Sequence, residues 1–158
     1  MALLQVALLS LVPVTELRGA IPFGVWARHL PLGGVVLVCV AANWLAALIT
    51  YLFIRYVLVL LLRSRAFARL WGAYAAGVQK RMHKNVERWG AWGLAMYIGF
   101  PLPGTGVYSG AIAAYLLGMS FRRFMWVALA GVLLMATIIT AVVVTGNAAF
   151  MWLVKPPA

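Results

Sequence analysis

Two runs of 23 residues without a charged side chain, Leu32–Ile54 and Phe124–Gly146, constrain this chain more than any other feature. A helix of that length reaches about 35 Å, enough to cross a hydrocarbon core of about 30 Å with some tilt. Composition agrees: 66% of the residues are hydrophobic and 9% are charged, against about 25% charged in a soluble domain. The bilayer is therefore the expected solvent. Its 158 residues leave room for roughly three to six passes or part-passes in one domain.

The formal charge of +11 comes from 13 Lys and Arg against two acidic residues, Glu16 and Glu87. A basic chain invites a nucleic-acid reading, but the distribution argues against it: seven of the 13 cations fall between Arg63 and Arg88, beside long apolar runs. That is the pattern of a cytoplasmic loop facing anionic lipid, and no nucleic-acid partner is expected. The single cysteine, Cys39, lies in an apolar run and reads as a packing residue. Met1–Val12 lacks a basic start and a small-residue cleavage site before Pro13, so it reads as part of the mature protein and not as a signal peptide.

Between Trp89 and Phe121 lie 33 uncharged residues, and their middle reads Gly99-Phe-Pro-Leu-Pro-Gly-Thr-Gly-Val-Tyr-Ser-Gly110. Pro101 and Pro103 remove backbone donors and the glycines loosen the chain, so the segment should break into two half-helices near mid-membrane. The N-terminal region repeats the design, with apolar Ala2–Val12, then Pro13-Val-Thr-Glu-Leu-Arg-Gly-Ala-Ile-Pro22, then a short apolar stretch to Leu30. Gly19-Ala20-Ile21 and Gly110-Ala111-Ile112 each follow a proline-bearing turn and precede a crossing helix, which suggests a structural repeat with a site at the repeat interface.

Charge then selects a topology. If both broken segments enter and leave on one side, Arg122 and Arg123 join the Arg63–Arg88 cluster inside, leaving Arg28 and Lys155 outside, as the positive-inside rule favours. The expected fold is all-α and integral to the membrane: two oppositely oriented re-entrant helical hairpins (1–31 and 89–121), each followed by a transmembrane helix (32–62 and 122–154), as an inverted repeat. The link 63–88 carries Phe67, Trp71, Tyr74, Val78, Met82, Val86 and Trp89 at helical spacing, which predicts a cytoplasmic amphipathic helix anchored on lipid. His83 and Glu87 fit a structural role there, and His29 beside Arg28 fits the outer interface.

Glu16 and Arg18 are the informative polar pair. Each lies in the first broken segment, where a charged group facing lipid costs about 2.5–3.5 kcal/mol or more. They either form an internal salt bridge or do chemistry, with Arg18 recognising an anionic group and Glu16 exchanging a coupling proton. Half-helices present backbone N–H groups that favour anions, which brings in Gly104, Thr105 and Gly106 after Pro103, and the residues around Gly19. Thr15, Thr105, Tyr108 and Ser109 offer hydroxyls to the same place. Asn43 is the carboxamide of the first crossing helix and fits either the site or an interhelical hydrogen bond. Thr137 and Thr140 read as bonded back to their own helix. There is no Asp, no clustered His or Cys, no HExxH and no Walker loop, so neither an enzyme nor a metal or other cofactor is expected.

Glu16-Leu-Arg-Gly-Ala-Ile-Pro22 and Pro101-Leu-Pro-Gly-Thr-Gly106 resemble the hallmark stretches of the small multidrug export protein family, and the separation of the two motifs and Asn43 fit as well. The arrangement also resembles the wider DedA-like membrane proteins, which pair two re-entrant hairpins and include polyprenyl-phosphate translocases, although this chain has Tyr108-Ser-Gly110 where they carry Gly-x-Arg. These resemblances imply a transporter of a bacterial or archaeal cytoplasmic membrane. The expectation is a flippase for an amphiphile or lipid with a phosphate-like headgroup, held by Arg18, with Glu16 handling a proton. Proton-coupled export of lipophilic cations and a non-transporting scaffold are the alternatives. Leftover apolar surface makes a homodimer the expected assembly.

Overall fold

A computed structural model describes residues 1–58, 72, 76, 90–102 and 104–146. Every regular element among them is helical: α1 (Ala2–Ser10), α2 (Glu16–Pro22), α3 (Leu32–Phe53), α4 (90–99), α5 (Val107–Leu116) and α6 (Phe121–Thr145). The expected amphipathic helix over 63–88 and the tail beyond Gly146 lie outside the described residues.

The two uncharged runs became the two long helices. With the turn Ile54–Leu58 that continues α3, Leu32–Val57 forms one apolar span of 26 residues, and α6 forms another of 25. At 1.5 Å per residue these reach about 37–39 Å, so both are long enough to cross a membrane. By contrast α1, with nine residues, and α5, with ten, reach only about 15 Å, half of a bilayer. Both proline-bearing regions are broken as the sequence predicts: the chain turns at 11–15 between α1 and α2, and at 100–106 between α4 and α5.

Pro22 sits inside α2, where it supplies no N–H, and directly after it Phe23–Ala27 opens into a wider π-helical turn closed by the Arg28 N–H on the Phe23 carbonyl at 3.2 Å. His29 is exposed in the turn to α3, beside Arg28, whose guanidinium lies 5.4 Å from the centre of the Phe23 ring.

Helix α3 is the hub, packed against α1, α2, α5 and α6. Its inward side is made of small residues, Ala42, Ala46, Ala47 and the buried Cys39, while Leu37, Trp44, Leu45, Ile49 and Phe53 face outward. In lipid this division is the useful one: large apolar side chains meet acyl chains, and small ones let helices close on each other. The same device joins α4 to α5 and α6. A Cβ on Gly131 would meet the Ala95 carbonyl at 2.8 Å, and one on Gly110 would meet Ile98 at 2.5 Å. At the far end, Tyr51 of α3 stacks on Phe124 with ring centres 5.0 Å apart and donates its hydroxyl to the Met119 carbonyl at 2.6 Å. Trp44 donates to the Met125 carbonyl at 3.2 Å. These contacts fix α3 against the α5–α6 corner.

Candidate functional site at the meeting of the two broken segments

Among the described residues, four polar side chains are buried in the core: Ser10, Glu16, Asn43 and Ser109. Three of them lie on the two broken segments, and the fourth reaches into the first. Asn43 of α3 donates from Nδ2 to the Ser10 carbonyl at 3.2 Å and to the Cys39 carbonyl at 3.1 Å, and also meets the Ser10 hydroxyl. It ties the end of α1 to the hub, which is the interhelical role, while its Oδ1 is buried without a partner.

Glu16 opens α2 with a positive φ of 42°, a left-handed conformation that a side chain of this size seldom adopts. Its N–H is held by the Val12 carbonyl at 2.9 Å, so the strained residue is fixed at the mouth of the helix. The outcome is that a carboxyl group is driven inward: Glu16 is 1% exposed.

The carboxyl group lands on the other broken segment. It rests against Gly106, where a Cβ would lie 2.7 Å from Cδ and closer still to both oxygens, so only glycine leaves room. Gly106 also has φ +132°, which again selects glycine. Gly106 has no side chain with which to cap α5, and the Val107 N–H is directed instead at the Glu16 carboxyl group. A carboxylate at the first N–H groups of a helix is favoured by hydrogen bonding and by the helix dipole. One oxygen, Oε2, is left buried with no hydrogen-bond partner.

Arg18 does not complete that oxygen. Its Nη1 donates to the Leu102 carbonyl at 2.7 Å, reaching from the first broken segment to the second, though it is near enough to act on Glu16 through space. In return the Tyr108 hydroxyl, also near Glu16, donates to the Leu11 carbonyl of the first break. Each break is thus latched by a side chain three residues beyond the other segment's threonine. The threonines correspond too: Thr15 donates to the Leu9 carbonyl at 2.6 Å, and Thr105 to the Phe100 and Leu102 carbonyls at 2.6 and 2.8 Å. Thr15 thus satisfies a carbonyl near the end of α1, and Thr105 two carbonyls of the turn that follows α4.

The remaining sequence candidates fall as follows. Ser109 is buried, with its hydroxyl 3.4 Å from the Gly106 carbonyl, and Pro101 is buried at the break. Gly104 is exposed and accepts a hydrogen bond from Tyr97 at 3.1 Å. Pro103 lies outside the described residues. The Gly19 N–H, expected to be free, is engaged inside α2 with the Thr15 carbonyl at 3.0 Å, because α2 begins three residues earlier, at Glu16. The Thr105 N–H is likewise engaged, with Leu102 at 3.2 Å. The hydroxyls of Thr15, Thr105 and Tyr108 all donate to main-chain carbonyls. Thr137 bonds back to Leu133 at 2.8 Å as expected, whereas the Thr140 hydroxyl is buried without a partner.

The sequence offered no direct sign that Gly106 seats Glu16, since they lie 90 positions apart; the nearest signal was the matched Pro-x-Thr at Pro13 and Pro103. A family model described as "Putative small multi-drug export protein" matches residues 16–138, a stretch that begins at Glu16, directly after the first break, and takes in the second. The chain belongs to that family. The matched stretch therefore contains α2 and α5, which face each other at the Glu16 seat, but neither α1 nor the turn at 11–15. Comparison with curated proteins gave no match, and comparison with solved structures gave none either.

Proposed function

We propose that this membrane protein is a proton-coupled exporter of lipophilic cations, in which Glu16 takes up a proton and a substrate cation in alternation. The observation that carries this reading is the buried Glu16 carboxyl group, lodged where the two broken segments meet, with Oε2 unpartnered. A charge at that depth is tolerated only with compensation, and a proton or a lipophilic cation supplies it equally. The family description points the same way.

The arrangement also supports reading the two broken segments as oppositely oriented re-entrant hairpins of an inverted repeat. The reciprocal latches Arg18 to Leu102 and Tyr108 to Leu11, and the paired Thr15 and Thr105 caps, are what a pseudo-twofold relation produces. In such a design the hairpins rock against each other and expose the shared carboxylate to one side and then to the other. The positive-inside rule would set residues 63–88 in the cytoplasm, with the protein in a cytoplasmic membrane.

The anionic-headgroup alternative rests on Arg18, whose guanidinium is part-exposed at the same junction. It loses ground because the helix end best suited to an anion, that of α5, already faces the protein's own carboxyl group.

Binding to purified protein in detergent separates the two. Ethidium should bind the wild type and Arg18→Ala, and binding should be lost in Glu16→Gln. If a polyprenyl phosphate binds instead, and binding disappears in Arg18→Ala, the cation reading is wrong.

A further inference from the structure

We propose that Arg55, Arg122 and Arg123 form a docking surface for the headgroup of an anionic phospholipid, with its acyl chains on the apolar surface beside them.

Two helix ends bring the three arginines to one place. Tyr51 stacks on Phe124, and its ring centre lies 5.6 Å from that of Phe121, so the C-terminal end of α3 meets the N-terminal end of α6. Arg55 follows Tyr51 by one helical turn, and Arg122 and Arg123 follow Phe121 directly; all three are exposed. The turn Ile54–Leu58 also packs on α5, whose C-terminal end leads into this corner. Because α5 runs from the Glu16 seat to the corner, about 15 Å, the surface is separate from the candidate site.

Charge at this end calls for an anion. Of the five arginines among the described residues, three stand here, Arg28 stands near the start of α3, and Arg18 belongs to the junction. Glu16, the acid among the described residues, is enclosed against Gly106. The rest of the chain adds eight Lys and Arg and one acid, Glu87, and one carboxylate cannot balance three arginines. Arg122 and Arg123 also occupy the first turn of α6, which has no acidic residue. A helix dipole disfavours cations there and favours an anion. An external anion beside these arginines removes both penalties.

The surroundings select a lipid over a soluble anion. The arginines stand at the ends of the two spans long enough to cross a membrane, the level at which headgroup phosphates lie. Trp126, one turn beyond Arg122, is 73% exposed, and Tyr56, next to Arg55, is 66% exposed. Such rings, apolar with one polar tip, suit the boundary between headgroups and chains. The Arg55 guanidinium lies 5.7 Å from the centre of the Tyr56 ring, which keeps its charge at that boundary. A soluble anion would meet the guanidinium groups and leave these rings without a partner.

Native mass spectrometry of the full chain in a neutral detergent tests this, with phosphatidylglycerol and phosphatidylcholine of the same acyl chains as probes. Phosphatidylglycerol should bind the wild type more tightly. Arg55→Gln, Arg122→Gln and Arg123→Gln should each weaken its binding about fivefold and leave phosphatidylcholine unchanged, whereas Arg28→Gln should alter neither. A large excess of inorganic phosphate should not displace the lipid. Equal binding of the two lipids by the wild type, undiminished phosphatidylglycerol binding in the three variants, or an equal loss in Arg28→Gln would overturn the proposal. Displacement by inorganic phosphate would overturn it in favour of a soluble-anion site. Ethidium binding, read on the same preparations, reports on export alone, so either reading can fail while the other stands.

Discussion

Substituting Gly106 by alanine attacks the junction at its tightest point. The new Cβ would lie 2.7 Å from Glu16 Cδ, inside the contact distance of two carbons. It would also be forced into a backbone conformation, φ +132° and ψ −170°, that is close to glycine-only. Holding a non-glycine residue there costs on the order of 1–3 kcal/mol, and overpacking a tight contact costs about 1–3 kcal/mol more. The two parts can be separated. In a Glu16→Ala background the contact term vanishes and the backbone term stays, so a double-mutant cycle should give a coupling of roughly 1–3 kcal/mol in unfolding free energy. Unfolding of the four proteins in mixed micelles measures it, with ethidium binding as a second readout. Gly106→Ala alone should lose binding, because the carboxyl group is displaced from the Val107 N–H. A Gly106→Ala protein with wild-type stability and binding, or a cycle that closes at zero, would refute the seat described here.

Replacing Asn43 by alanine removes the link between α3 and the end of α1 and should cost about 1 kcal/mol, the scale of a strong interhelical hydrogen bond in a membrane, in the same unfolding assay. Gly131→Val should prevent α4 from closing on α6, because its Cβ would stand 2.8 Å from the Ala95 carbonyl, and size-exclusion chromatography should show loss of monodisperse protein. Gly33→Ala, with nothing within 4 Å of its Cβ, should be neutral or stabilise by about 0.5–1 kcal/mol through helix propensity. Thr15→Val and Thr105→Val should each destabilise by about 1 kcal/mol, and similar losses in the two would match their like roles at the two breaks.

The crossing helices were legible because a bilayer leaves few options for 23 uncharged residues, and α3 and α6 begin within a few residues of where the charges stop. The breaks were legible for a related reason: proline clustered with glycine, as at Pro101–Gly106, removes backbone donors and interrupts a helix, whereas the isolated Gly110, Gly131 and even Pro22 stay inside one. Arg18 was not legible. Beside Glu16 it reads as either a salt-bridge partner or an anion receptor, and only the approach of Leu102 from another segment decides where its guanidinium goes. The helix ends suited to anions were read from the sequence as open sites. Yet the end of α5 faces a carboxyl group from 90 residues away, and the residues around Gly19 were already inside α2 because that helix starts earlier than the glycine suggested. Local rules locate a break; they do not say what fills it.

The shortness of α1 bears on how the protein is made. Nine residues cannot hold a place across a bilayer alone, so α1 depends on the wall that α3 provides. Even then Glu16 has no seat until Gly106 and Val107 have been synthesised. A nascent or truncated chain lacking the second break therefore carries an unsheltered carboxyl group. The residue proposed to power transport thus also reports, during biogenesis, whether the molecule has been finished.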